Sequence, residues 1–216
     1  KTARLYLNEI LKCISYSEGN LLEIGCGSGD FLLEAQSRGF TVSGIEISEN
    51  ASKVANSRLF ENCVHQGVLE NMEFPDNTFD LITLFDVIEH VRNPIIFLKR
   101  IYRILRPGGQ IVVVTPSLDN WSAKLLNKNW MEYKIEHIWY FNNFAIKEAL
   151  LQSGFNQITI QKNIKALSFD YINLHLQRFP VPFITQILRF IRKAIPNSVA
   201  NREIHVNASG MLVIGT

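Results

Sequence analysis

The sequence predicts an α/β fold in which a mostly parallel β-sheet is covered by helices on both faces. Two observations support this fold. Short apolar segments of strand-like composition alternate with segments of helical periodicity, and a glycine-rich turn at residues 25–29 joins the first strand to a helix. The chain has 216 residues, of which 47% are hydrophobic, so it is long and apolar enough to bury the core of one domain.

The first half of the chain alternates between the two kinds of element. Apolar residues near helical spacing predict the opening helix, and Ser48 is suited to cap the helix that follows the second strand. In order, the predicted elements are helix 2–16, strand 20–25, helix 30–37, strand 40–47, a helix from Ser48 to about residue 59, and strand 63–66.

The second half continues the alternation. Pro107-Gly108-Gly109 ends one of its helices, and Asn142 or Asn143 is suited to cap another. The predicted elements are strand 80–85, helix 93–105, strand 110–115, helix 144–152, strand 155–161 and strand 211–216. The long interval before the last strand leaves room for an antiparallel edge. We therefore expect residues 1–216 to form a single domain with an insertion at about 163–205.

The charge of the chain is unevenly distributed. The total is +2, but residues 161–205 hold seven Lys/Arg against two Asp/Glu, which gives +5 there and −3 for the rest. The near-neutral total argues against a protein whose main role is binding nucleic acid, and the apolar fraction excludes a disordered chain. Three cysteines without a paired motif, and no segment resembling a signal peptide, predict a cytoplasmic protein.

The glycine-rich turn carries the clearest functional signal. Gly25, Gly27 and Gly29 follow a strand and open a helix, while Glu46 ends the next strand, where a carboxylate accepts hydrogen bonds from ribose hydroxyls. A dinucleotide fingerprint would place its third glycine at Asp30. A carboxylate at that helix N-terminus would repel a pyrophosphate, so the turn suits a nucleoside ligand without phosphates.

Four segments in order resemble one family. LLEIGCGSGDF, GIEIS, FDLITLFDVIEHV and LRPGGQIVVVTPS, between residues 20 and 118, are similar to class I S-adenosylmethionine-dependent methyltransferases. The resemblance implies a Rossmann-like, seven-stranded, mostly parallel sheet with helices on both faces and an antiparallel last strand. Here the sixth and seventh strands would flank the helical insertion. It also implies S-adenosyl-L-methionine as cofactor.

The resemblance also implies which residues hold the cofactor. Gly25, Cys26, Gly27 and Gly29 would lie against its methionine part, and Glu23 would support that turn and the methionine amino group.

The nucleoside part is assigned in the same way. Glu46 would take the ribose hydroxyls, Ile47 would pack on adenine, and Phe85 would line the pocket. Val68 stands where the family usually has an acidic residue that meets adenine. The adenine edge is then bound either by the backbone of Val68 and Leu69 or by Glu70.

The segment after the fourth strand carries Asp86, Glu89 and His90, which would share one face of a helix by i, i+3, i+4 spacing. A similar acid-x-x-Glu-His pattern occurs in ubiquinone-biosynthesis-type O-methyltransferases, and two carboxylates and an imidazole can bind a divalent metal. The alternative, which we favour, is that no metal binds, that Glu89 and His90 fix the loop, and that Asp86 lines the cofactor pocket.

A second cluster lies at residues 130–142. It is rich in aromatic side chains, contains His137 and reads WMEYKIEHIWYFN. The aromatics either wall an acceptor pocket or anchor the following helix. His137 is either a general base or a structural hydrogen-bonding residue, and His90 is the second candidate base. No Asn-Pro-Pro-Tyr motif follows the fourth strand, which argues against methylation of nucleobases.

Within the insertion, residues 181–195 place apolar residues at helical spacing, with Arg189, Arg192 and Lys193 between them. This segment would pack on the body or a second subunit, contact anionic lipid as a peripheral membrane helix, or cover the acceptor pocket.

These observations predict an S-adenosylmethionine-dependent methyltransferase acting on a small-molecule acceptor, with oxygen as the expected acceptor atom and no nucleic-acid partner. Two alternatives stay open. One is a membrane-associated enzyme acting on a glycan or lipid-linked intermediate, and the other is a non-catalytic module that binds the cofactor.

Overall fold

A computed structural model describes residues 2–14, 17–178 and 184–216. Its centre is a seven-stranded sheet of order β3-β2-β1-β4-β5-β7-β6, in which β7 runs antiparallel to both of its neighbours. The strands are β1 Gly19–Ile24, β2 Phe40–Glu46, β3 Val64–Gln66, β4 Phe79–Phe85, β5 Leu105–Pro116, β6 Thr159–Ser168 and β7 Glu203–Gly215. The predicted mostly parallel sheet with an antiparallel last strand is confirmed.

Helices lie between the strands and, among the described residues, fill the interval between β6 and β7. They are α1 Thr2–Leu11, α2 Asp30–Gln36, α3 Glu49–Arg58, α4 Pro94–Ile104, α5 Trp121–Leu126, α6 Asn143–Gln152, α7 Phe169–Arg178, α8 Ile184–Ala194 and α9 Asn197–Ala200.

Side-chain caps explain where three of these helices begin. Ser48 Oγ accepts a hydrogen bond from the Ala51 amide at 3.3 Å before α3, as the sequence predicted. Asn142 Oδ1 accepts from the Ala145 amide at 2.7 Å before α6. Asn93 caps α4 in the same way, so polar residues at these positions supply partners for backbone donors that a helix start leaves unpaired.

The last two strands differ most from the prediction. β6 and β7 continue past the central sheet as an antiparallel pair that reaches Ser168 and Glu203, inside the segment that had been predicted as a helical insertion. Their backbones pair with each other, so the extension does not need the apolar pattern of a buried strand. The predicted insertion at 163–205 therefore contains these strand ends as well as α7 to α9. Residues 181–183 of its predicted amphipathic segment lie outside the described residues.

The sheet separates two hydrophobic cores. Consecutive residues of a strand point to opposite faces, so Leu21 and Leu81 lie in one core while Leu22 and Ile82 lie in the other. Because β1 to β5 are parallel, their carboxyl ends meet at one edge of the sheet. The ends of these strands and the loops that follow them carry most residues of the candidate site.

Candidate functional site

The glycine turn after β1 leaves an open surface at Gly27. Gly27 has φ 53°, and a Cβ added there would meet no atom within 4 Å. Gly25, with φ 75°, is close-packed instead, since its Cβ would lie 2.6 Å from Cγ2 of Val87. The turn is thus held from one side at Gly25 and is accessible to a ligand at Gly27.

Glu46 at the end of β2 fixes this turn. Its Oε2 accepts a hydrogen bond from the Gly27 amide at 2.8 Å, and its Oε1 accepts one from the Ser48 amide at 2.8 Å. The side chain is buried at 8% exposure. Each carboxylate oxygen has a second lone pair, so Glu46 can still accept hydroxyl donors. Sequence reasoning predicted the ribose contact but missed the bond to Gly27.

Glu23, on β1 below the turn, is a buried carboxyl group with an unused oxygen. It is 4% exposed, and among the described residues its Oε2 has no hydrogen-bond partner. Burial raises its pKa well above the ordinary value, and the charges of Asp30 and Glu46 add to this effect. A cationic group nearby would offset both causes. The residue therefore fits the amino group that the family resemblance assigns to it.

Apolar surface continues from the turn to the neighbouring strand ends. Ile47, directly after β2, is 71% exposed, which is unusual for an isoleucine and leaves its aliphatic side chain free to pack on a ring. Leu69 is buried and Glu70 is exposed in the short 3-10 turn after β3, with half-buried Val68 before it. The contact with adenine, either by the backbone of Val68 and Leu69 or by Glu70, stays a prediction.

Phe85 at the end of β4 is half-buried among aromatic rings. Its ring centroid lies 4.7 Å from that of Phe31 and 5.2 Å from that of Tyr6. Cys26, in the turn, is buried nearby in the same core, and burial raises the pKa of its thiol. Tyr6 belongs to α1 and was missed, because no motif in the sequence connects that helix to the strand ends.

The acceptor-side residues begin after β4. The chain leaves the strand through Asp86, which has φ 53° and is exposed, and then forms a 3-10 turn over Ile88–His90. Glu89 is 1% exposed, and its Oε2 accepts a hydrogen bond from Oγ1 of buried Thr115 on β5 at 2.9 Å. Burial raises the pKa of Glu89 to about 7.

The segment around His137 packs directly on this turn. The backbone oxygen of Glu89 accepts from the amides of Ile138 at 2.9 Å and Trp139 at 3.1 Å. The His90 and His137 rings lie edge to face with centroids 4.8 Å apart. The structure thus joins two candidate bases that lie in separate sequence clusters.

His137 is 7% exposed, and among the described residues its Nδ1 has no hydrogen-bond partner. Burial lowers its pKa, and the charge of Lys134 acts in the same direction. The ring is therefore neutral near pH 7 and retains a lone pair.

The predicted metal group is placed differently by the structure. Glu89, His90 and His137 offer ligand atoms within 4.8 Å of one another, whereas Asp86 is not a member of this group. Asp86, Glu89 and His90 would need an α-helical turn to share one face. The observed 3-10 turn starts only at Ile88, which leaves Asp86 outside it.

The contacts of the aromatic cluster support anchoring rather than a pocket wall. Trp130 and Phe141 are buried, at 2% and 5% exposure. The indole Nε1 of Trp130 donates to Ser122 Oγ at 3.1 Å, and that of Trp139 donates to the Val91 backbone oxygen at 2.8 Å. These contacts fix the segment that carries His137.

The helix α8 presents both apolar and basic side chains. Ile187, Phe190 and Ile191 are exposed, Phe190 at 78%. Arg192 forms an ion pair with Asp170 of α7, which holds the two helices together. In the part of the chain that the structure describes, no helix is long and apolar enough to cross a membrane.

The chain is similar in sequence to known methyltransferases. A family model described as a methyltransferase domain matches residues 2–160. A demethylmenaquinone methyltransferase of Listeria monocytogenes is 31% identical over 121 residues, which cover 52% of this chain and 51% of that one. A ubiquinone biosynthesis O-methyltransferase of Pseudomonas putida is 36% identical over 118 residues, covering 51% and 50%. The chain thus spans about half the length of these curated relatives.

Solved structures show the same fold. Phosphoethanolamine N-methyltransferase 2 of Haemonchus contortus, solved with S-adenosyl-L-methionine, matches with a TM-score of 0.66 at 22% identity. The match covers 98% of this chain and 52% of that one. The predicted Rossmann-like fold is confirmed by this likeness and by the strand order.

Proposed function

The chain belongs to the methyltransferase domain family, and we propose that it transfers a methyl group from S-adenosyl-L-methionine to an oxygen of a small-molecule acceptor. One observation carries the proposal. The open surface at Gly27 lies beside Glu46, and the unpartnered oxygen of Glu23 lies below the same turn. This arrangement suits a nucleoside ligand that carries a cation and no phosphate.

The residues present fit the cofactor. Glu23 would hold its amino group, Glu46 its ribose hydroxyls and Ile47 its adenine ring. When bound, the cofactor supplies a methyl group on a sulfonium, which is already an activated leaving group. The protein's part is to hold the acceptor in line and to exclude water.

We assign the acceptor to the cluster of Glu89, His90 and His137. His137 is the first candidate for the general base, because its lowered pKa leaves the ring neutral near pH 7, and exposed His90 is the second. Two relatives are named for demethylmenaquinone methylation and for O-methylation in ubiquinone biosynthesis. These names support a small organic acceptor and, in the second case, oxygen as its methylated atom.

The test is an activity screen with methyl-labelled cofactor over phenols, sugars and lipid-linked acceptors. Label transfer to a hydroxyl is the expected result. Transfer only to nitrogen or carbon would reject the oxygen assignment. Cofactor binding without transfer to any acceptor class would favour the non-catalytic alternative.

A second candidate acceptor class is supported by α8. Exposed Ile187 and Phe190 are flanked along the helix by Arg189 and Lys193, which is the composition of a helix that lies on an anionic membrane surface. If α8 contacts lipid, the acceptor would be lipid-linked, and the enzyme would work at the membrane face.

A further inference from the structure

We propose that Glu89, His90 and His137 form a binding site for a divalent transition-metal ion of the Zn²⁺ class. Glu89 and His90 come from the 3-10 turn after β4, and His137 comes from the segment between α5 and α6. Their ligand atoms lie within 4.8 Å of one another.

Two buried atoms in this group lack partners. Among the described residues, Oε1 of Glu89 and Nδ1 of His137 have no hydrogen bond, although these side chains are only 1% and 7% exposed. Leaving such polar atoms unpaired in the interior is unfavourable, because they have lost their hydrogen bonds to water and gained none in return. A bound cation would give Oε1 of Glu89 a partner, and ligation through Nδ1 would give the unpaired ring nitrogen of His137 one.

The surrounding hydrogen bonds prepare the group for ligation. Nδ1 of His90 lies 2.9 Å from the backbone oxygen of Glu136, and a carbonyl can only accept, so Nδ1 is the donor. In the neutral ring the lone pair is then on Nε2. Thr115 donates to Oε2 of Glu89 and leaves Oε1 for a metal. Metal-binding histidines and carboxylates are commonly oriented by outer bonds of this kind.

The ligand set selects the class of metal. Two imidazole nitrogens and one carboxylate oxygen suit Zn²⁺, Co²⁺ or Fe²⁺, whereas Mg²⁺ and Ca²⁺ prefer oxygen ligands alone. In a tetrahedral zinc centre the ligand atoms are about 3.4 Å apart, from bonds of about 2.0–2.1 Å. The observed separations of up to 4.8 Å would therefore close by up to about 1.4 Å, and exposed His90 has room to move.

Three protein ligands leave a coordination position open, as in zinc sites that bind substrate or water. The position lies at the acceptor-side edge of the sheet, so its use to hold an acceptor oxygen rests on the proposed function. Metal binding itself does not. Ligation and proton acceptance use the same imidazole lone pairs, so His137 acts as the base only in the metal-free protein.

The test uses the full chain, without a histidine tag, after dialysis against EDTA. Titration with Co²⁺ is expected to give visible absorption bands that saturate at one equivalent and disappear when Zn²⁺ is added. Glu89→Gln and His90→Gln should each weaken Co²⁺ binding at least tenfold. Loss of a residue that only orients a ligand already lowers metal affinity about 10–100-fold, so loss of a ligand itself should cost at least as much. His65→Gln, which changes an exposed histidine on β3, is the matched control and should bind normally.

Absence of the bands, or equal Co²⁺ affinity in His90→Gln, would overturn the metal site. Because His90 is exposed, that variant is expected to fold, and circular dichroism verifies this. Binding of S-adenosylhomocysteine is measured on the same metal-free protein. If S-adenosylhomocysteine binds and Co²⁺ does not, the metal site fails while the cofactor assignment stands. If Co²⁺ binds and S-adenosylhomocysteine does not, the metal site stands while the cofactor assignment, and with it the proposed function, fails.

Discussion

The Nδ1 atom of His90 donates a hydrogen bond to the backbone oxygen of Glu136, at 2.9 Å. This bond links two Glu-His dipeptides, one after β4 and one before α6, that are more than forty residues apart in the chain. It also fixes the tautomer of His90 and brings its ring against His137. The segments that carry His90 and His137 are therefore one connected unit, which can be tested separately from the glycine turn.

Glu46→Ala should abolish most cofactor binding. The carboxylate holds the Gly27 amide and would also accept two ribose hydroxyls, and hydrogen bonds to charged groups contribute about 1.5–3 kcal/mol each. We expect the dissociation constant of S-adenosylhomocysteine, measured by calorimetry, to rise at least about a hundredfold. Glu49→Ala, an exposed change three residues later, is the control. Equal affinity in both variants would contradict the ribose assignment.

Gly27→Ala tests the open surface of the turn against a matched glycine. Both Gly27 and Gly39 have positive φ, and an added Cβ meets no atom within 4 Å at either position. Each substitution should therefore cost stability by about 1 kcal/mol through backbone strain. Only Gly27→Ala should lose affinity for S-adenosylhomocysteine, because its new methyl group would occupy the ligand's space. Similar affinity in the two variants would place the ligand elsewhere.

The local structure around the glycine turn was the more predictable part of the candidate site, because its signals are local. Glycines, the strand end at Glu46 and the cap at Ser48 lie within a few residues of the positions that they determine. The bond from Gly27 to Glu46 joins two strands, and no local pattern specifies which oxygen meets which amide.

The acceptor half depends on tertiary packing. Helical spacing grouped Asp86 with Glu89 and His90, but the chain forms a 3-10 turn, and His137 takes the third place. No local pattern in the sequence connects the two segments. The extension of β6 and β7 also escaped prediction, because two strands paired with each other need no alternating apolar pattern.

Glu23→Gln should change how stability depends on pH. The folded-state pKa of Glu23 is raised above its ordinary value of 4.5 by burial. The folded protein therefore binds the proton more tightly than the unfolded chain. Its contribution to stability is full below pH 4.5 and is lost as the pH rises through the raised pKa. The measurement is urea unfolding without cofactor. As the pH increases from 4 to 8, the free energy of unfolding of Glu23→Gln should rise relative to that of the wild type.

The control for this prediction is Glu34→Gln, a partly exposed glutamate on α2, the helix that follows the glycine turn. Its stability relative to the wild type should not follow the same trend. Parallel pH profiles for wild type and Glu23→Gln would show that Glu23 does not carry the buried proton.

His137→Gln should separate chemistry from cofactor binding. If His137 accepts the acceptor proton in metal-free protein, kcat should fall by about 10²–10⁴-fold, while the affinity for S-adenosylhomocysteine stays unchanged. The acid limb of the pH–rate profile should disappear in the variant, an effect that a structural role would not produce. His65→Gln serves as the control, and unchanged turnover in His137→Gln would exclude the base role.

Phe190→Ser tests whether α8 binds a membrane surface. Phe190 is 78% exposed, and burying a phenylalanine side chain in an apolar phase contributes about 1.5–3 kcal/mol. In flotation assays with vesicles containing phosphatidylserine, the variant should bind at least about tenfold more weakly than the wild type. Binding should also weaken as salt rises, because Arg189 and Lys193 would contribute electrostatically.

Phe60→Ser provides the matched control, because Phe60 is 87% exposed and lies on the body of the protein between α3 and β3. It should float with vesicles as the wild type does. If neither the wild type nor Phe60→Ser binds anionic vesicles, the lipid-linked acceptor loses its support. Equal weakening in both variants would mean that exposed aromatic area in general, rather than α8, drives the contact.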